Sequence, residues 1–231
     1  MRKLLLAFTF SLLSTCAFSQ MNGDFNYSIG VRGYNYMQMP KILNQTNSDK
    51  YITTYFNSYL VKFNDNQFSY RLNGSYVKKN LSFANNCENC ELVDGVMKDF
   101  SFKVGFEKNF NYAVIQPYFA FDLGYRTNKF EGISTNINAQ RIIMDMPQSQ
   151  NSIIATKEGF TISPVFGVKF NPVKQISVFA ESNLEFFYSY ERQENVSQDV
   201  SNTRTLSKFH KTEYLINPVS IGIQVHFGNK N

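Results

Sequence analysis

Beyond its first twenty residues this sequence contains no apolar run near the roughly 18 to 20 residues that a membrane-crossing helix needs, which excludes helical spanning. Histidine is almost absent, with two among 231 residues, so a histidine-based metal centre or general base has little to draw on. Cysteine is equally scarce, with three residues, too few for a disulfide framework. Charge of one sign is not in excess either. A formal net charge of +5 is too mild to imply a nucleic-acid partner. No catalytic, cofactor or metal residues are therefore assigned.

What is present begins with a targeting pattern. Met1-Arg2-Lys3 is followed by an apolar run from Leu4 to Leu13, then by Ser14-Thr15-Cys16-Ala17-Phe18-Ser19 before the chain turns polar at Gln20. A basic start, a short greasy stretch and a small-residue cleavage pattern predict a signal peptide over residues 1–19 and a mature domain over 20–231. Leu13-Ser14-Thr15-Cys16 also resembles a lipobox, though Thr before the Cys fits that pattern poorly. Cleavage removes two cations and brings the net charge to +3. In an exported chain the remaining pair, Cys87 and Cys90, reads as a small loop disulfide. Metal binding would want a second ligand pair, and a thioredoxin-like site a βαβ context.

The mature chain carries most of 23 Phe and 14 Tyr, and their spacing is the main signal. Phe68, Tyr70, Leu72, Gly74 and Tyr76 alternate with Ser69, Arg71, Asn73 and Ser75, the period of a strand with one face in an apolar medium. The same alternation recurs over Phe25–Arg32, Phe100–Glu107, Ile115–Arg126, Ile162–Phe170, Ile176–Tyr188 and Val219–Phe227. A weaker strand, Thr53–Phe63, places Phe56 and Leu60 on the polar side and is kept because an even count needs it. The reading is a closed eight-stranded antiparallel up-and-down transmembrane β-barrel, with apolar residues toward lipid and polar ones inside.

Charge and link length support it. Arg32, Lys62, Arg71, Lys103, Glu107, Asp122, Arg126, Lys169, Glu181 and Glu185 all fall on the inward parity, whereas a cation facing lipid at mid-membrane costs about 2 to 4 kcal/mol. Short links near Asn64–Gln67, Lys108–Asn111 and Asn171–Gln175 alternate with long ones at Met37–Lys50, Lys79–Lys98, Thr127–Gly159 and Glu191–Lys211. That places short turns and both termini on the periplasmic side and long loops outside. Pro117, Pro164 and Pro218 sit near expected strand ends and Pro172 in a turn, where a missing N–H is tolerated.

Two segments, Gln116-Pro117-Tyr118-Phe119-Ala120-Phe121-Asp122-Leu123-Gly124-Tyr125 and Ser163-Pro164-Val165-Phe166-Gly167-Val168-Lys169-Phe170, are followed by Val178-Phe179-Ala180-Glu181. Together they resemble the outer-membrane β-barrel family (porin-family, OmpA/OmpX-like) of Bacteroidetes-type Gram-negative bacteria. The resemblance implies residence in the outer membrane, with its lipid and lipopolysaccharide as surroundings, and it brings no catalytic residues with it. The final strand, closing on Val225-His226-Phe227, is similar to the signal read by barrel-assembly machinery. Phe25, Phe63, Phe68 and Phe170 are read with Phe227 as interfacial aromatics.

Eight strands leave an interior just wide enough for side chains to fill. Arg71, Lys103, Glu107, Asp122, Lys169, Glu181 and Glu185 are therefore expected to form a plugging charge network, with Glu181 its central acid and Arg71 or Lys103 the partner. The function read from this is a structural anchor or surface-binding protein, its outer loops, above all Thr127–Gly159, contacting an unidentified extracellular ligand. The alternatives are a narrow porin for small solutes and a lipid A-modifying enzyme built on His210 with Ser207 and Glu213. A soluble lipocalin-like protein would carry the same alternation with the two faces exchanged.

Overall fold

A computed structural model of the chain describes residues 25–46, 51–85, 91–136, 150–198 and 202–229. Every regular element among them is a strand: β1 Phe25–Gln38, β2 Tyr51–Thr54, β3 Ser58–Asp65, β4 Phe68–Asn85, β5 Glu91–Asn109, β6 Ile115–Asn136, β7 Gln150–Val173, β8 Ile176–Ser197 and β9 Arg204–Asn229. The period-two pattern is what builds them. In β4 Phe68, Tyr70, Leu72 and Tyr76 are exposed while Ser69, Arg71 and Asn73 are buried. Across β5 to β7 the same holds for Phe102, Val104, Leu123, Ile162 and Phe166, all exposed, against Glu107, Asp122, Arg126 and Ser163, all buried.

The expected closed eight-stranded barrel is corrected. Among the described residues nine strands form one antiparallel sheet in the order β2-β1-β3-β4-β5-β6-β7-β8-β9, and β1 also pairs with β9. The ninth strand arises where Thr53–Phe63 was expected to run unbroken. The chain breaks at Tyr55-Phe56-Asn57, with Phe56 at φ 49°, outside the range a strand can use. β3 takes the lower part of β1, from Tyr27↔Phe63 to Arg32↔Ser58, and β2 the upper part, from Asn35↔Thr54 to Gln38↔Tyr51. The alternation slips at Phe56 because the strand ends there, whereas Leu60 is an inward residue, 1% exposed.

The ring of pairings is also incomplete at one end. β4 is paired with β3 only from Phe68 to Ser75, and β9 with β1 only from Val219 onward, so above these points neither strand has a continuous ladder on that side, β4 meeting only an isolated Gln45↔Asn85 bridge at its top. There the β1–β2 hairpin leaves the wall and turns inward. Met39, Ile42, Leu43 and Ile52 from it are buried in an apolar cluster with Val77, Phe83, Val93, Met97, Phe130, Ile153 and Ala155. Burying side chains of this size is worth about 1.5 to 3 kcal/mol each, enough to draw a hairpin out of the sheet.

Strands outrun the expected boundaries at this same end. Lys79–Lys98 and most of Glu191–Lys211, expected as long links, are largely strand: β4 reaches Asn85, β5 starts at Glu91, β8 reaches Ser197 and β9 starts at Arg204. The ladders continue where exterior apolar alternation stops, because backbone pairing needs no greasy face. The tight links are Asn66-Gln67, 110–114 and Lys174-Gln175, and Asn66 takes a positive φ of 52° as a turn residue should.

Pro117 stands near the start of β6, as expected, whereas Pro172 is in β7 next to its end and not in a turn, and Pro164 and Pro218 lie in strand interiors. Pro218 lies where the β8–β9 register shifts between Asn217 and Ser220, and Pro172 lies in the β7–β8 irregularity between Phe170 and Val173. Pro164 occupies a gap in the β7–β8 ladder between Ile162↔Phe186 and Val165↔Asn183. At Pro164, Pro172 and Pro218 the missing N–H is thus absorbed by a bulge or a skipped pair. Phe25 departs from its expected outward position as well. It is 9% exposed, its ring stacked on His226 at 6.1 Å.

Candidate functional site

The buried face of the sheet holds two zones in series. The lower one is ionic and collects residues from β1, β3, β4, β5, β6, β7 and β8. Arg71 is its hub, with Nη1 3.0 Å from Glu181 Oε1 and 3.2 Å from Glu107 Oε2, and Nε 3.1 Å from Asp122 Oδ1. Glu107 also takes Lys62 at 2.6 Å and Lys169. Glu181 takes Arg32 at 2.8 Å and accepts a hydrogen bond from the Tyr118 hydroxyl at 2.8 Å. Asn73 links Arg32 to Asp122, accepting at 3.0 Å and donating at 3.1 Å. Gly167 makes room for this, since a Cβ there would collide with the Tyr118 ring.

A step above, Glu185 joins Lys103 and Arg126, the latter at 2.5 Å, and Arg126 continues to Asp99 at 3.0 Å. Asn128 and Ser163 donate and accept at the edges of this pair set, to Asp99 at 2.8 Å and from Lys103 at 3.1 Å. Beyond it Lys157 bridges Glu191 at 3.2 Å and Glu213 at 2.8 Å. Cations and carboxylates alternate, so each buried charge has a partner of opposite sign, the condition under which burial of ions is tolerated. The space left is a cavity of about 60 Å³ bordered by Arg32, Asn73, Asp99, Lys103 and Glu185, room for a few waters and not for a solute.

The second zone is the apolar cluster around the inturned hairpin. Main-chain groups of the hairpin tie it in place: the Lys41 N–H donates to Glu213 Oε1 at 2.9 Å and the Asn44 N–H to Asn85 Oδ1 at 3.0 Å. At the outer rim the charges face solvent. Lys98 and Lys129 share Glu131, and the Lys129 ammonium, hydrogen-bonded to that carboxyl, holds it below the usual carboxylate range. Arg204 does the same to Glu194, with Arg192 adding to it.

The seven residues singled out for the network lie on the buried face, and of the two partners offered for Glu181 one is taken up. Arg71 meets Glu181, whereas Lys103 meets Glu185. Lys62, Arg32 and Arg126 join from the inward parity, while Asp99, Tyr118, Lys157, Glu191 and Glu213 were not assigned to the network. Asp99 sits one residue before an expected strand start, so only its parity with Ser101 could have marked it. His210, Ser207 and Glu213 are not brought together. His210 stacks on Tyr188 and lies tilted against Tyr190 on the exposed face, whereas Glu213 is engaged with Lys157 across the sheet. Faces exchanged as in a lipocalin are excluded by the same burial pattern. Among the described residues no group of three His, Cys, Asp or Glu is placed to hold a metal ion. Cys87, Cys90, residues 1–19 and the 137–149 part of the longest expected loop lie outside the described residues.

No family model matches the chain, and no curated protein does. Among solved structures it is similar to the outer membrane protein OprG from Pseudomonas aeruginosa, at 8% identity over 90% of this chain and 100% of that one, with a TM-score of 0.55. A major outer membrane protein from Thermus thermophilus aligns at 10% identity over 88% and 98% with a TM-score of 0.45. Ail, the attachment invasion locus protein of Yersinia pestis, aligns at 14% identity over 90% and 100% with a TM-score of 0.40. The fold is thus one shared with OprG.

Proposed function

We propose that the chain is exported on a cleaved signal peptide over residues 1–19 and spans the outer membrane as an integral protein with an occluded interior, acting as an anchor that presents a binding surface outside the cell. One observation carries this reading. The molecule is inverted, with paired charges buried and apolar side chains exposed in rows across neighbouring strands, Val104–Leu123–Ile162 over β5 to β7 and Val31–Ile223–Val178 over β1, β9 and β8 among them, Val31 being half-buried. An apolar surface of that continuity needs a lipid neighbour. The fold shared with OprG supports the same placement. Strands of 18 to 26 residues in β4 to β9 exceed the roughly 9 to 11 that a bilayer crossing takes, which lets the polar upper halves stand in water.

Within that reading the finer assignments are also ours: membership of the porin-family, OmpA/OmpX-like group, a final strand read by assembly machinery, and a Cys87–Cys90 disulfide in an outer link. The two interior zones favour an anchor over a channel. The test is conductance of the refolded protein in planar bilayers. The expected record is silent at all voltages, and discrete ohmic steps would replace the anchor reading by the channel one.

A further inference from the structure

At the outer end the wall lacks a strand's worth of pairing between β2 and β4. β2 hydrogen-bonds to β1 alone. The last bond from the β3 side to β4 is the Tyr76 N–H donating to the Asn57 carbonyl at 2.9 Å, and the next contact is the Thr46 N–H donating to the Ala84 carbonyl at 3.1 Å. Alternate residues of an antiparallel strand aim their main-chain groups at the same edge. Tyr76 and Ala84 both aim into the gap, and so therefore do Lys78, Asn80 and Ser82. The N–H and C=O groups of these three have no partner among the described residues. The opposite edge of β4 is in unbroken register with β5 from Phe68↔Lys108 to Asn85↔Glu91, which keeps the open edge extended.

Behind this edge lies a cavity of about 280 Å³ bordered by Met39, Pro40, Ile42, Ile52, Leu81 and Phe83, left where the hairpin turns inward. On the outer side Lys78 stands directly across from Lys98, and Lys98 from Lys129. Like charges in direct opposition destabilise a ladder. Glu131 answers for Lys98 and Lys129, while no acid among the described residues pairs with Lys78.

We propose that this slot receives an extended acidic segment of a partner protein as an added strand. Its main chain pairs with Lys78, Asn80 and Ser82, its inward side chains are apolar and enter the cavity, and its outward ones are carboxylates, one of which meets Lys78. An acyl chain would fill the cavity but leave the main-chain groups unanswered, so strand addition is the better fit. The inference names a partner class for the surface-binding reading and rests on that reading for the slot's exposure outside the cell.

The probe is a synthetic hexapeptide of alternating glutamate and valine, titrated against the refolded full chain in detergent micelles. Saturable binding is expected, with amide exchange at Lys78, Asn80 and Ser82 slowed at least tenfold. N-methylation of the peptide on the edge facing β4 should weaken binding by about tenfold or more, the scale of one or two lost hydrogen bonds. Asn80→Pro removes a donor that faces only the gap and spares the β5 ladder, and should weaken binding by about as much. Should that variant misfold, the N-methyl arm on the unaltered chain still decides. The proposal is overturned by absence of saturable binding, by equal binding of a block-ordered or lysine–valine peptide, by unprotected amides, or by decanoate competing for the site. Conductance of the same preparation reports separately on the occluded-interior reading.

Discussion

Glu107 is fully buried and is answered by three cations, Lys62, Arg71 and Lys169. Removing one partner of such a set leaves uncompensated charge in a medium that solvates it poorly, which costs about 3 to 5 kcal/mol. Glu107→Gln should therefore lower the free energy of unfolding from lipid vesicles, measured by urea titration, by that amount. Glu131→Gln on the solvent side of the sheet should leave it unchanged, since its ion pairs are screened. Equal effects from the two would mean that the interior is wet. Inward placement of these charges was legible from strand parity alone. Their pairing was not, because it depends on which strands face one another across the interior. Arg71 and Glu181 are 110 residues apart, and no local spacing distinguishes Glu181 from Glu185 as its partner.

At the scale of elements, the pattern located every strand of the lower half and misjudged the upper ends. Period-two alternation reports a boundary between apolar and polar media, so it stops where the exterior becomes polar even though β4 to β9 continue as paired backbone. It also faltered at Phe56, and there the faltering was itself the signal. A non-glycine residue at φ 49° costs roughly 1 to 2 kcal/mol, and the Phe56 ring is 70% exposed, so little burial offsets that cost. Two variants isolate the backbone contribution. Phe56→Gly and Phe56→Ala delete the same ring, but only glycine accepts this conformation freely, so Phe56→Gly should unfold at higher urea than Phe56→Ala, with an unfolding free energy larger by about 1 kcal/mol. The opposite order, normal for a strand interior, would show that β2 and β3 are one continuous strand in the membrane-embedded protein.

The whole molecule sets two barriers in series along its interior. The ionic zone was foreseeable, because charge on an inward parity has only an interior to occupy. The apolar zone was not. Val77, Val93, Met97 and Phe130 lie inside at a level where the exterior is polar, and alternation by itself does not say which face is which. Their partner, the hairpin segment from Met39 to Leu43, lies within a stretch that reads as a plain surface link. If each zone alone occludes the interior, opening one leaves the other shut. Ile42→Ser with Leu43→Ser should loosen the hairpin yet stay electrically silent in planar bilayers, and Arg71→Ala with Tyr118→Ala should also stay silent because the apolar cluster remains. The four substitutions together should conduct, measured on protein that still migrates as a folded species. Steps from the hairpin variant alone would place the only seal at the outer end and leave the charges as the lining of a passage, whereas silence from the quadruple variant would mean that the interior repacks around what was removed.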